Sequence, residues 1–175
     1  MLYAPGSARI NNRIIYFVFW SSESSEYGFC SEAIVLDERG AIATYSSLSD
    51  MYSEYHRKGL KIIEDEPIVV NLDDVKNWLR LPRRRTVDPV NFLNVWYLFS
   101  DLNSAVNAEG ENLSNICRHK IYEKIFWGNN FPALTPPGKH YTPRWNRSEI
   151  NKMHRILMAG MRLFTTRIYC ETAQS

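Results

Sequence analysis

The sequence is poor in the residues that disulfide-rich folds and metal sites require. Its 175 residues include three cysteines, Cys30, Cys117 and Cys170, which are far apart and odd in number. This usage argues against a disulfide framework and predicts a reducing, cytoplasmic location. The chain has neither a Cys-x-x-Cys pair nor closely spaced histidines, so we predict no metal site.

Motifs for catalysis and for phosphate binding are also missing. The eight glycines are isolated, so no glycine-rich loop is available to cradle a phosphate. The four histidines lie on different predicted elements, and none accompanies a nucleophile in a Gly-x-Ser-x-Gly turn. We therefore expect a protein that is not an enzyme and needs no cofactor. The enzymatic alternative is an active site in the loop of residues 129–141, around His140.

Long hydrophobic runs are absent as well. The longest, residues 14–20, is too short to span a bilayer, and the first residues lack a basic region followed by an apolar one. We therefore expect neither membrane insertion nor secretion. The content of 45% hydrophobic and 23% charged residues is typical of a soluble globular protein. The length suits a single domain.

Charge is distributed unevenly along the chain. The net charge of +2 combines a value of −4 for residues 1–81, which hold 8 basic and 12 acidic residues, with +6 for residues 82–175, which hold 13 and 7. An acidic half suits a basic partner, such as a nuclease whose cleft accepts phosphate groups.

The first half is predicted to form a small antiparallel sheet. Residues 13–20 are rich in β-branched and aromatic types, which is typical of a central strand buried on both faces. Residues 29–36 and 41–46 flank a short polar stretch that ends at Gly40, which predicts a hairpin. A further strand is predicted at residues 68–72.

Two short helices are predicted between and after these strands. Ser47 and Asp50 form a capping pair for the first helix, which should stop at Gly59. The second begins within residues 71–74 and should end near Leu81, because Pro82 cannot donate a hydrogen bond into a helix.

The second half is predicted to be helical. Asp88 and Pro89 suit the start of a helix that is apolar on most sides and belongs at the centre of the fold. A second apolar stripe, Leu113, Cys117, Ile121 and Ile125, should stop at Gly128. Residues 167–170 have a strand-like composition.

The last predicted helix follows a proline-rich loop at residues 128–145. Asn146 and Glu149 form its capping pair, and Trp145 should hold it against the core. Asn129 and Asn130 tolerate left-handed backbone angles, so they should help to fix the loop. We predict one α+β domain in which a strand-rich acidic part (residues 1–81) packs against a helical part (residues 87–165).

Two blocks in the helical part resemble a known family. The first is VDPVNFLNVWYLFSDLNSAV at residues 87–106. The second comprises EKIFWGNNFP at residues 123–132, TPPGKHYTPRW at residues 135–145 and the helix predicted at residues 146–164. Together they span residues 87–164, which is under half of the chain.

These blocks resemble the scaffold of immunity proteins (CdiI-type) of bacterial contact-dependent growth inhibition and related polymorphic toxin systems. The resemblance implies a cytoplasmic toxin inhibitor encoded beside a CdiA-type toxin. Such proteins bind the C-terminal toxic domain of the sister protein, commonly a nuclease, and occlude its active site. The matched blocks are scaffold, so they carry no toxin-contacting residue over to this chain.

Acidic residues of the first half are the candidates for contacting the toxin. Carboxylates mimic phosphates and pair with lysine and arginine, which raises the association rate and the specificity. A hairpin tip, a polar turn and helix caps would explain the same residues without a partner, and we favour caps for the last two. The seven candidates are Asp37, Glu38, Glu64, Asp65, Glu66, Asp73 and Asp74.

The alternative function is a nucleic-acid-binding module that uses the basic second half. Arg83, Arg84 and Arg85 form its sharpest cluster, which could grip phosphates. The aromatic residues that a single-strand binder interleaves with such cations are missing around them. A protein toxin is therefore the expected partner, and nucleic acid is not.

Overall fold

The chain adopts an α+β fold, as predicted. A computed structural model describes residues 2–21, 32–82, 87–106 and 120–168. A four-stranded sheet lies in the first half, and the longest helices lie in the second. The strands are β1 (Leu2–Ile10), β2 (Arg13–Ser21), β3 (Glu32–Ile34) and β4 (Val69–Asn71). The helices are α1 (Leu48–Arg57), α2 (Leu72–Arg80), α3 (Pro89–Val106), α4 (Lys120–Gly128) and α5 (Arg147–Ile168).

The sheet is mixed, where an antiparallel one was predicted. Its order is β3-β2-β1-β4, with β2 antiparallel to both neighbours and β4 parallel to β1. The prediction missed β1 because Pro5 and Gly6 resemble a turn. Gly6 instead lets aromatic rings lie on the strand, since a β-carbon there would come within 2.5 Å of Phe19 and 2.6 Å of Phe17.

The predicted hairpin after β2 is only partly confirmed. Its first arm forms β3 at residues 32–34, and Leu36 pairs with Ile42 across the polar turn, while residues 29–31 lie outside the described part of the chain. The prediction of a strand at residues 41–46 was wrong, because this stretch makes only the isolated bridges Leu36–Ile42 and Tyr16–Tyr45. Strand β2 is central, as expected, with Phe17 and Val18 buried on opposite faces.

The predicted helix starts are confirmed by their hydrogen bonds. The Ser47 and Asn71 side chains accept from backbone amides of α1 and α2. Asp88 accepts from the amide of Val90 at 3.0 Å at the start of α3. Asn146 and Glu149 each accept from the other's backbone amide at 2.9 Å, which forms the predicted capping box of α5.

The helices cover both faces of the sheet. Helix α1 packs on one face, where Val18, Met51 and Tyr55 belong to one buried cluster. Helices α2, α3 and α5 pack on the other face, and α4 lies against α3. Helix α3 contacts β3, β4, α4 and α5, which confirms its predicted central place. In the described part of the chain, no helix is both long and apolar enough to cross a membrane.

The C-terminal end of α5 differs from its prediction. Arg167 and Ile168 continue the helix, whereas a strand-like composition had been noted there; residues 169–170 lie outside the described part. Ile168 packs against the core, and Arg167 Nη1 donates to the carbonyl of Gly40 at 2.8 Å. These two contacts anchor the last turn to the sheet side of the molecule.

Trp145 is buried before α5, as predicted. The Lys124 ammonium lies 5.6 Å from the centre of its ring and donates to Glu149 Oε1 at 2.7 Å. Partial burial works against the charged form of Glu149, but the Asn146 amide and Lys124 outweigh it and lower the pKa of that carboxyl. The start of α5 is thus held by packing and by charge together.

Candidate protein-binding surfaces

The seven acidic candidates occupy three separate places. Asp37 and Glu38 follow β3, whereas Glu64, Asp65 and Glu66 run beside the start of β1, and Asp73 and Asp74 begin α2. Ile62, just before the second group, pairs with Tyr3 near one end of β1, whereas the Asp73 carboxylate binds the turn at the other end of that strand. The candidates therefore do not form one acidic patch.

Asp37 is engaged within its own turn. Its Oδ1 accepts from the backbone amides of Arg39 and Ala41, both at 2.8 Å. This arrangement closes the turn after β3, so the carboxylate has a structural task. Glu38 is exposed at the same turn.

Asp73 and Asp74 are engaged as well. The Asp73 carboxylate accepts from the amides of Asn11 and Asn12 at 2.7 and 2.8 Å, across the β1–β2 turn. Both asparagines have positive φ, 50° and 59°, as a tight two-residue hairpin turn requires. Asp74 accepts from the Asn71 side-chain amide at 2.7 Å in the first turn of α2.

Replacing Asp73 with alanine should therefore destabilise the protein. Two charge-assisted hydrogen bonds to the hairpin are lost, so we expect the free energy of unfolding to fall by about 1–2 kcal/mol. Urea denaturation measures this change. The neighbouring variant Asp74→Ala, which spares the hairpin, is the control, and equal losses in the two variants would contradict the role assigned to Asp73.

The remaining exposed acids lie beside exposed apolar residues. Glu64, Asp65 and Glu66 are exposed, Ile68 is 75% exposed and Val69 is 38% exposed. We call these five residues the acidic edge, because they lead into β4, which is an outermost strand of the sheet.

The backbone of the acidic edge is held in place. The Tyr52 hydroxyl donates to the carbonyl of Asp65 at 2.8 Å, and the Ser7 hydroxyl donates to that of Ile68 at 3.3 Å. His56 Nε2 lies 3.1 Å from Glu64 Oε1. Partial burial, with the charges of Glu64 and Asp65, raises the pKa of Tyr52.

A partner strand would find the end of β4 occupied. Asn91, on α3, accepts from the amide of Asn71 at 3.0 Å and donates to its carbonyl at 2.9 Å. These two hydrogen bonds take the place of a neighbouring strand at Asn71. The acidic edge is therefore suited to side-chain contacts more than to strand addition.

A second surface was not predicted from the sequence. It comprises aromatic rings of α3, α4 and the following loop, together with one leucine, and we call it the aromatic surface. Phe126 is at its centre, with ring centroids 6.0 Å from Tyr122, 5.5 Å from Trp127 and 5.3 Å from Phe131. Its members are Tyr97, Tyr122, Phe126, Trp127, Phe131 and Leu134.

One sequence signal could have revealed this surface. Ile121 and Ile125 form the stripe of α4 that is buried, as predicted, while Leu113 and Cys117 lie outside the described residues. The neighbouring positions 122, 126 and 127 are also aromatic, which exceeds what one buried stripe accommodates. Of these surplus rings, Tyr122 and Phe126 are only partly buried against the core, and Trp127 is exposed.

The loop after α4 is fixed by two asparagines, as predicted. Asn130, with φ of 50°, donates to the carbonyl of Tyr141 at 2.9 Å and accepts from its amide at 2.6 Å. Asn129 donates to the carbonyls of Ile125 and Pro89 at 2.8 and 3.1 Å. The loop is therefore tied to itself, to α4 and to the start of α3.

The loop also borders a groove that contains His140. The groove has a volume of about 580 Å³, and Pro89, Tyr141 and Arg144 line it with the histidine. Within the described part of the chain, neither a carboxylate nor a thiol lines it. The groove thus offers His140 no acidic partner of the kind that orients a catalytic histidine.

Comparison with known proteins finds no matching family model, no matching curated protein and no matching solved structure. The arginine cluster at residues 83–85 lies outside the described residues. The acidic edge and the aromatic surface are therefore the features on which a function can be built.

Proposed function

We propose that this protein is an immunity protein of a contact-dependent growth inhibition system. It binds the C-terminal toxin domain of its cognate CdiA-type protein, a nuclease, and occludes the active site. The observation that carries the proposal is the acidic edge, where three exposed carboxylates adjoin the exposed Ile68. The resemblance of residues 87–164 to CdiI-type proteins supports the same role.

The acidic edge has the chemistry that a basic nuclease cleft would accept. Its carboxylates occupy the positions that substrate phosphates would take, and they attract the cleft over a distance of about 10 Å at 0.1 M salt. Ile68 supplies an apolar anchor beside them, which charge alone does not provide. Because the backbone is held by Tyr52 and Ser7, little conformational freedom is lost on binding.

Charge reversal of the acidic edge tests this proposal. The variant Glu64→Lys/Asp65→Lys/Glu66→Lys should bind the toxin domain encoded beside this protein with an association rate at least about tenfold lower at low salt. Its association rate should also depend less steeply on salt. Stopped-flow fluorescence measures both quantities, and growth of toxin-expressing cells reports the protection.

A matched pair of single variants separates position from charge. Glu66→Lys and Glu38→Lys make the same change at two exposed sites, on the acidic edge and at the turn after β3. We expect the first to slow association more than the second. Equal rates for both variants would remove the acidic edge from the interface, and absence of any complex would end the immunity proposal.

A further inference from the structure

We propose that the aromatic surface is a second contact area for the same toxin domain, an inference that rests on the proposed function. In this arrangement the acidic edge accelerates association, and the aromatic surface slows dissociation. The partner is a protein domain with a basic cleft and, beside it, an apolar area bordered by carboxylates.

Several members of the aromatic surface are exposed to solvent. Trp127 is 48% exposed, Phe131 37% and Leu134 52%, and the amide of Leu134 donates to the carbonyl of Phe131 at 2.9 Å. Single exposed apolar residues are common on protein surfaces, whereas a contiguous cluster marks an interaction site. Tryptophan and tyrosine are also the residues that most often dominate the energy of protein interfaces.

Hydrogen bonds hold parts of the aromatic surface in a fixed arrangement. The fork between Asn130 and Tyr141 fixes the loop that carries Phe131, and Tyr97 and Tyr122 hold each other through their hydroxyls at 2.8 Å. A surface that is already ordered loses less conformational entropy when a partner binds. Hydrogen bonds and ring contacts together therefore hold these groups in place.

The charges on the same elements indicate the partner's chemistry. Between residues 120 and 147 the exposed cations outnumber the one exposed acid, Glu123, while Lys124 is paired with Glu149. A complementary surface therefore carries carboxylates around its apolar centre. The exposed cations are Lys120, Lys139, Arg144 and Arg147.

The geometry around Phe126, the central ring, favours a protein over a single-stranded nucleic acid. Bases stack on open ring faces, but Phe126 stacks on Tyr122 at an interplanar angle of 30° and meets Trp127 edge to face at 86°. Leu134 offers no face for stacking, although it is the most exposed member measured on this surface. An apolar protein surface fits both features.

The acidic edge and the aromatic surface are connected through the start of α3. Strand β4 ends at Asn71, which is hydrogen-bonded to Asn91, while Pro89 accepts from Asn129 near Trp127. A protein interface of ordinary size covers ~800 Å² on each partner, which is roughly 30 Å across. The arrangement that we propose requires one globular domain to contact both surfaces on either side of this connection.

Single substitutions on the aromatic surface test the inference with the full-length protein and the toxin domain encoded beside it. Trp127→Ala should raise the dissociation rate about tenfold or more, and Leu134→Ala should raise it less. Both variants should keep the association rate and its salt dependence, in contrast to charge reversal at the acidic edge. Surface plasmon resonance at several salt concentrations measures the dissociation rate, the association rate and its salt dependence.

Met158→Ala is the matched control. Met158 is 46% exposed on α5, which is close to the value for Trp127, and it belongs to neither surface. The complex of Met158→Ala with the toxin domain should dissociate at the wild-type rate. Thermal unfolding of every variant shows whether the fold is retained, and Leu134→Ala keeps the test informative if Trp127→Ala does not fold.

The possible outcomes separate the inference from the function on which it rests. A wild-type complex whose dissociation rate is unchanged in folded Trp127→Ala and Leu134→Ala overturns the second contact area and leaves the immunity role in place. Absence of any wild-type complex overturns both. Binding of a fluorescent single-stranded 12-nucleotide RNA that is lost in Trp127→Ala, with toxin binding retained, assigns the surface to nucleic acid and overturns the inference.

Discussion

Replacing Phe164 with alanine should lower the free energy of unfolding by about 3–5 kcal/mol. Phe164 is fully buried on α5, and its ring centroid lies 6.1 Å from that of Phe17 and 6.4 Å from that of Phe99. The side chain thus joins β2, α3 and α5. Its removal leaves a cavity that β2, α3 and α5 cannot fill by moving towards one another.

Urea denaturation followed by tryptophan fluorescence measures the loss. Met158→Ala on the same helix is the control, because an exposed side chain should change the free energy of unfolding by less than about 0.5 kcal/mol. A loss below about 1 kcal/mol for Phe164→Ala would mean that α5 does not pack on the sheet as described.

The second large effect is expected at Gly160 on α5, against which the Phe99 ring of α3 packs. A β-carbon there would overlap Cδ2 and Cγ of Phe99 and lie 2.8 Å from its Cε2. Alanine favours a helix by about 1 kcal/mol over glycine, but overpacking costs about 1–3 kcal/mol and more when the neighbour cannot move. Phe99 is buried against Phe164, so overpacking should dominate, and Gly160→Ala should destabilise the protein by about 2 kcal/mol.

A double-mutant cycle identifies the cause of that destabilisation. In a Phe99→Leu background the ring is gone, so the added methyl group should cost less than in the wild type. Chemical denaturation of the four proteins yields the coupling energy. A stabilising effect of Gly160→Ala in the wild type would show that the helices are farther apart than described.

The helices were predictable because their starts depend on neighbours in the chain. Ser47, Asn71 and Asn146 each accept from an amide three residues away, so residue type and spacing suffice to identify the caps. The buried stripe of α5 was predictable for the same reason, since its spacing of three and four residues is local.

The strands were harder to predict because pairing connects distant segments. Strand β1 contains Pro5 and Gly6, yet it lies between β2 and β4 because rings from β2 pack over the glycine. The prediction of a strand at residues 41–46 failed because that stretch has only two isolated bridges to other segments. No periodicity within either segment contains this information.

The candidate surfaces show the same division. The sequence offered seven acids as candidates for toxin contact. Only the fold shows that Asp73 is bound to a turn 62 residues earlier in the chain, whereas Glu66 is exposed. The sequence predicted the buried stripe of Ile121 and Ile125, but only the fold shows that Trp127, Phe131 and Leu134 remain exposed.

The sequence by itself determined the fold class, the helix starts and the uneven charge of the two halves, because each depends on composition or on contacts within a few residues. The tertiary structure alone decided the parallel pairing of β4 with β1, which acids are engaged and which rings remain exposed. These depend on which distant segments meet, and the free energy of that meeting comes from burial shared among several elements.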